Sequence, residues 1–137
     1  MRNDLADRCN VVEECYEFLL AYAAQGLAGE QAGGEGGTSG QIRHFLERAS
    51  DALSGLTDAY SAAVSEQKLE PADRYQAFQS VLDRDARDSL AAIELVRAQP
   101  AISSQLVDNL NASIHLRALL TDLFLIDEIL KATAVRE

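Results

Sequence analysis

The chain has 137 residues, 47% of them hydrophobic, and its 12 lysines and arginines against 22 aspartates and glutamates give a net charge of −10. This size and composition fit one folded domain over residues 1–137 and exclude disorder throughout. The acidic balance argues against binding to nucleic acid or to anionic membranes, and no apolar run approaches the roughly 18 residues that span a bilayer. The N-terminus also lacks the apolar stretch of a signal peptide, so we expect a cytoplasmic protein.

Four segments have a helical period of 3.6 residues, and no segment alternates as a strand does. Between the first two segments, seven of the eight glycines lie from Gly26 to Gly40. This density predicts a flexible loop over about residues 26–39, because glycine holds regular structure poorly. The predicted helices run from about Asn3 to Gln25, Ser39 to Gln67, Pro71 to Ala98 and Ile102 to Ala132.

The short second and third connections predict antiparallel neighbours. The fold class is therefore all-α, an up-down-up-down four-helix bundle with a long glycine-rich loop between helices 1 and 2. Cys9 and Cys15 lie in the first helix, separated by a rise of roughly 9 Å, which exceeds the roughly 7 Å Cα distance that a disulfide tolerates. We expect two buried, reduced thiols there.

Aligning the third and fourth helices as antiparallel neighbours predicts a polar layer in the core. With the turn centred near Ala101, Asp85 faces Arg117 and Ser89 faces Ser113, between apolar pairs such as Phe78 with Phe124. On a helical wheel, both charged residues lie within about 20° of these core positions. One interpretation is a structural ion pair; the other is a ligand site in which Arg117 holds a carboxylate or phosphate.

The first helix carries an acidic cluster of Glu13, Glu14 and Glu17. In a bundle, such carboxylates can be metal ligands, but no Glu-x-x-His motif accompanies them, as a di-iron site requires. All-α nucleotide pyrophosphohydrolases hold Mg²⁺ with such glutamates and a second carboxylate pair, spaced three residues apart, on the next helix. Here the corresponding residues, Glu47 and Asp51, are four residues apart. We expect a solvated face and no metal site, with the three glutamates as weak candidates.

The fourth helix is apolar on two sides, which predicts that something covers the side turned away from the bundle. A seam with 4-3-4-3 spacing on that side is a predicted oligomer interface. Its residues are His115, Leu119, Asp122, Ile126, Ile129 and the neighbouring Leu130. A two-fold dimer is the simplest cover, and another helix of the same chain is the alternative.

These features favour a small acidic protein–protein interaction module without catalysis or a cofactor of its own. It would be an accessory subunit, adaptor or chaperone-like partner, as a homodimer or with another protein. One alternative is a small-molecule or metal-dependent enzyme that uses Asp85, Arg117 and the glutamates of the first helix. Another is an acidic decoy that occupies the nucleic-acid groove of a basic protein.

Overall fold

The computed structural model describes residues 4–29 and 37–136, and this part of the chain contains helices and no strand. The predicted all-α class is confirmed. None of the described helices combines the length and the apolar composition that crossing a membrane requires. The helices are α1 (Asp4–Ala24), α2 (Gly37–Ser54), α3 (Leu56–Glu66), α4 (Ala72–Arg97), α5 (Ser104–Ala112) and α6 (Ile114–Arg136).

The segments predicted as helices 2 and 4 each contain two helices, so the described residues form six helices and not the expected four. The first break is at Gly55, where Arg8 of α1 reaches the end of α2. Its Nη1 donates to the carbonyl oxygens of Asp51 and Ala52, each at 3.1 Å. A Cβ atom on Gly55 would lie 2.7 Å from the Arg8 guanidinium carbon. The break therefore depends on a glycine that leaves room for a capping arginine.

The second break is at Ser113, whose extended backbone (φ −62°, ψ 144°) ends α5. The Ser113 hydroxyl accepts a hydrogen bond from the Leu116 amide at 3.3 Å and caps the start of α6. Before the break α5 packs mainly on α1, and after it α6 packs mainly on α4. The two halves of the predicted fourth helix thus contact different neighbours.

One apolar core joins all six helices. Cys9 and Cys15 are buried in it as free thiols, as the sequence predicted. Burial raises the pKa of Cys9 to about 12 and that of Cys15 to about 11, so both thiols are protonated at neutral pH. The largest fully buried side chains of the apolar core include Leu5, Leu19, Tyr22, Ile42, Leu46, Leu82, Leu119 and Leu123.

The predicted flexible loop, residues 26–39, is described only at its two ends, because residues 30–36 lie outside the described part. At the first end, Leu27 exchanges two hydrogen bonds of 2.9 Å with Ser104, through backbone and hydroxyl groups. Gly29 has φ +89°, and a Cβ there would lie 2.8 Å from the backbone of Ile102. This end is packed against the chain that leads into α5, which the glycine content did not predict.

Gly55→Ala is expected to lower the free energy of unfolding by about 1–2 kcal/mol, because the new methyl group displaces Arg8 from the two carbonyls that it caps. Gly40→Ala is the matched control: nothing lies within 4 Å of its Cβ position, and a helical alanine is favourable there. In an Arg8→Ala background, Gly55→Ala should cost nothing. Urea denaturation measures the free energy of unfolding of these variants. An equal loss of stability on Gly55→Ala with and without Arg8 would show that displacement of the arginine is not the cause.

Candidate functional site

An apolar groove lies between α3, the first half of α4 and the second half of α6, with Leu5 of α1 also in its lining. Its volume is about 450 Å³. In its wall, the Tyr60 hydroxyl donates to the Tyr75 carbonyl oxygen at 2.8 Å and ties α3 to α4. Burial raises the pKa of Tyr60 to about 12, so this hydroxyl keeps its proton. The groove therefore has a fixed wall and an apolar lining.

Large apolar side chains stand exposed where α6 borders the groove. Leu125 is 50% exposed and Ile129 is 44% exposed, and both line the cavity. They lie four residues apart, one helical turn, so they share one side of α6. Such an exposed apolar stripe beside a groove is typical of a surface that another molecule covers.

The rim of this groove is acidic. Exposed carboxylates stand next in sequence to lining residues on α1, α4, α6 and the segment before α4: Asp4, Glu70, Asp73, Asp127 and Glu128. Against them stand the cations of Lys68, Arg74 and Lys131. Lys131 pairs with Asp127 at 3.1 Å, and Asp4 pairs with Arg8 at 3.0 Å. The groove therefore combines an apolar lining with a rim on which carboxylates outnumber cations.

A wider cleft of about 970 Å³ lies between α3 and α4. Hydroxyl and amide side chains line much of it, and the Thr57 hydroxyl donates to Asp83 at 3.1 Å across it. Its lining also includes Lys68, Glu70 and Asp83, and the second carboxylate oxygen of Asp83 pairs with Arg87 at 2.8 Å.

The predicted polar layer is only partly assembled. Ser89 is fully buried, and its hydroxyl donates to the His115 carbonyl oxygen at 2.9 Å across the contact between α4 and α6. Asp85 is half-buried, Ser113 caps α6, and Arg117 is exposed. The expected burial of Arg117 is wrong: the predicted alignment treated residues 102–132 as one helix, whereas α6 begins anew at Ile114 and exposes Arg117.

The buried charge-bearing residue of α6 is Asp122 and not Arg117. Asp122 is 6% exposed, and no donor among the described residues reaches its buried Oδ2 oxygen. Burial, together with the nearby Asp85 carboxyl group, raises the pKa of Asp122 to about 7. Burial disfavours the charged form of a carboxyl group, so Asp122 is largely protonated at mildly acidic pH. Its only signal in the sequence was an acidic residue within an apolar seam.

The predicted oligomer seam of α6 turns largely into the chain's own core. Leu119, Asp122 and Ile126 are buried, whereas His115 and Ile129 are exposed and Leu130 is half-buried. Phe124, expected to point inward, is 56% exposed. Leu120 and Leu123, which share the predicted inward side with Phe124, are buried, so that side is confirmed there and wrong at Phe124. Helices of the same chain cover Leu119, Asp122 and Ile126 of the seam.

The acidic cluster of α1 is divided between different partners. Glu14 pairs with Arg48 of α2 at 2.8 Å, and Glu17 is exposed. Burial and the nearby Asp127 raise the pKa of Glu13. Within the described residues, no group of three histidine, cysteine or acidic side chains is arranged to hold a metal ion.

Comparison with known proteins gives no match to a family model, to a curated protein or to a solved structure.

Asp122→Asn is expected to flatten the pH dependence of stability. A carboxyl pKa that is higher in the folded than in the unfolded chain stabilises the fold at low pH, and this contribution is lost as pH rises through about 7. At about 1.4 kcal/mol per pKa unit, the parent loses up to roughly 4 kcal/mol between pH 4 and pH 9.

Urea denaturation at several pH values tests this, with the exposed Asp108→Asn as control. At pH 8.5 Asp122→Asn should be more stable than the parent by at least about 1 kcal/mol, since the amide avoids burying a charge. A variant that lost stability equally at every pH would contradict the raised pKa of Asp122.

Proposed function

We propose that this chain is a non-catalytic, cytoplasmic protein–protein interaction module that binds a basic amphipathic helix of another protein in the apolar groove. It would act as an accessory subunit, an adaptor or a chaperone-like partner. The observation that carries the proposal is the groove of about 450 Å³ with Leu125 and Ile129 half-exposed at its edge. We further propose that the chain is an antiparallel four-helix bundle in which two of the helices are interrupted. One interrupted helix is α2 with α3, the other is α5 with α6, and the bundle presents the groove.

The charges support a basic partner. The rim carboxylates outnumber the rim cations, and the whole chain carries a net charge of −10. An amphipathic helix places apolar side chains at i, i+3, i+4 and i+7, a pattern suited to a groove between helices, and its flanking lysines would meet the rim. Electrostatic complementarity of this kind speeds association and sets specificity.

A second copy of the chain is the competing occupant. Its acidic surface would have to approach an equally acidic rim, so like charges oppose a homodimer at this groove. The enzyme alternative has less support, since Arg117 is exposed and Glu14 is already paired with Arg48. We therefore place the hetero-partner first and the homodimer second.

A fluorescein-labelled, 15-residue amphipathic peptide of leucine and lysine tests the proposal by fluorescence anisotropy. A peptide with the same pattern but glutamate for lysine is its control. The lysine peptide should bind with a salt-dependent affinity, and the glutamate peptide should bind at least about tenfold more weakly. Leu125→Ser and Ile129→Ser should each weaken binding about tenfold, since each removes about 1.5 kcal/mol of apolar contact.

Leu95→Ser is the matched control variant, because Leu95 is 66% exposed on α4 and does not line the groove. It should leave peptide affinity unchanged. Equal losses in Leu95→Ser and Leu125→Ser would overturn the groove as the site. If light scattering shows that the parent is a stable dimer and that Leu125→Ser is a monomer, the occupant of the groove is a second copy of the chain and not another protein.

A further inference from the structure

We propose that Arg74 binds an acidic side chain of the partner helix and so sets the direction in which that helix lies in the groove. The inference rests on the proposed function, because it assigns one charged contact within the groove that receives the partner's apolar side chains. Arg74 is the one charged residue among the described residues that line this groove. A mostly apolar site takes its specificity from a small number of such polar groups.

Arg74 lies at one end of the groove. On α4 it precedes the lining residue Phe78 by about one turn. Ser89, in the second half of α4, donates to the His115 carbonyl oxygen at the start of α6, whereas the first half of α4 shares the groove with the second half of α6. The two helices are therefore antiparallel, and Arg74 lies towards the end of α6, where Leu130 lines the groove. A helix bound along the groove presents only one of its ends to Arg74.

The guanidinium group of Arg74 has no ion-pair partner among the described residues. Glu70 and Asp73 are close to it in sequence, but neither pairs with it. Most of the other described cations already bind a carboxylate or a helix-end carbonyl of the chain itself: Arg8, Arg43, Arg48, Arg87, Arg97 and Lys131. An arginine has five N–H donors and no acceptor, so the groups that it can bind are anions and carbonyl oxygens.

The stability of α4 does not explain this arginine. Arg74 lies in the first turn of α4, where the helix dipole favours negative charge and a cation is slightly unfavourable. It also caps no helix end, unlike Arg8 and Arg43. An exposed arginine that lines a groove without stabilising its own helix is suited to a carboxylate of a ligand, which the planar guanidinium group binds through two parallel hydrogen bonds.

Acetylated and amidated versions of the leucine–lysine peptide test this contact by fluorescence anisotropy. Each carries one glutamate or one glutamine at the edge of the apolar stripe, near its N-terminal or its C-terminal end. General attraction to an acidic chain predicts that glutamate weakens binding at both ends, because it makes the peptide less positive. Contact with Arg74 predicts that glutamate at one end binds about threefold to fivefold more tightly than glutamine, the range of an exposed ion pair. That end identifies the direction of the bound helix.

Variants of the chain assign the preference to one residue. Arg74→Gln should abolish the advantage of glutamate, and Arg74→Lys should keep part of it, because lysine retains the charge without the planar pair of donors. Arg84→Gln is the matched control, since Arg84 is exposed on the same helix and does not line the groove. It makes the same change in net charge and should preserve the advantage. Circular dichroism checks that each variant is folded.

The outcomes separate the two proposals. Binding that depends on Leu125 but shows no advantage of glutamate at either end would overturn the contact with Arg74 and leave the groove as the binding site. An advantage that persists in Arg74→Gln, or that Arg84→Gln removes equally, would also overturn the contact. Binding that does not depend on Leu125 would overturn the groove and the contact together.

Discussion

The break at Ser113 divides the predicted fourth helix into two helices that pack on different neighbours, and the exposed edge of the groove lies on the second of them. Before the break, α5 is fixed to α1 by Asn111, which donates to the Leu19 carbonyl oxygen at 3.1 Å, and by Ser104, which donates to that of Tyr22 at 2.6 Å. After the break, α6 begins again with its own cap and packs on α4.

The side of α6 that faces the core carries an acidic residue. Leu119 and Ile126 are buried there, and Asp122 is buried with them because the three residues share one side of the helix. The buried carboxyl group then requires a proton or a cation. On the neighbouring side, Leu125 and Ile129 are left exposed beside the groove. The exposed edge of the groove and the buried Asp122 thus lie on adjacent sides of α6.

Arginine side chains that cap distant helix ends fix the remaining helices in a similar way. Arg8 holds the end of α2. Arg43 donates to the carbonyl oxygens of Arg97, Gln99 and Pro100 at the end of α4, at 2.9–3.2 Å. These groups satisfy carbonyls that a helix end leaves without partners. The acidic chain therefore uses two of its few cations inside the fold, which leaves its surface more negative.

The sequence by itself determined the helical class and the bounds of the helices whose pattern is local. The predicted first and third helices, Asn3–Gln25 and Pro71–Ala98, differ from α1 and α4 by one residue at each end. Periodicity is sufficient there because the apolar spacing and the punctuating residues lie within the helix itself. Only the tertiary structure decided the breaks at Gly55 and Ser113. The Gly55 break depends on Arg8, which reaches Asp51 from 43 residues away, and the Ser113 break lets α5 and α6 meet different helices. The burial of Asp122 and the exposure of Arg117 follow from those long-range contacts and could not be obtained from spacing along the chain.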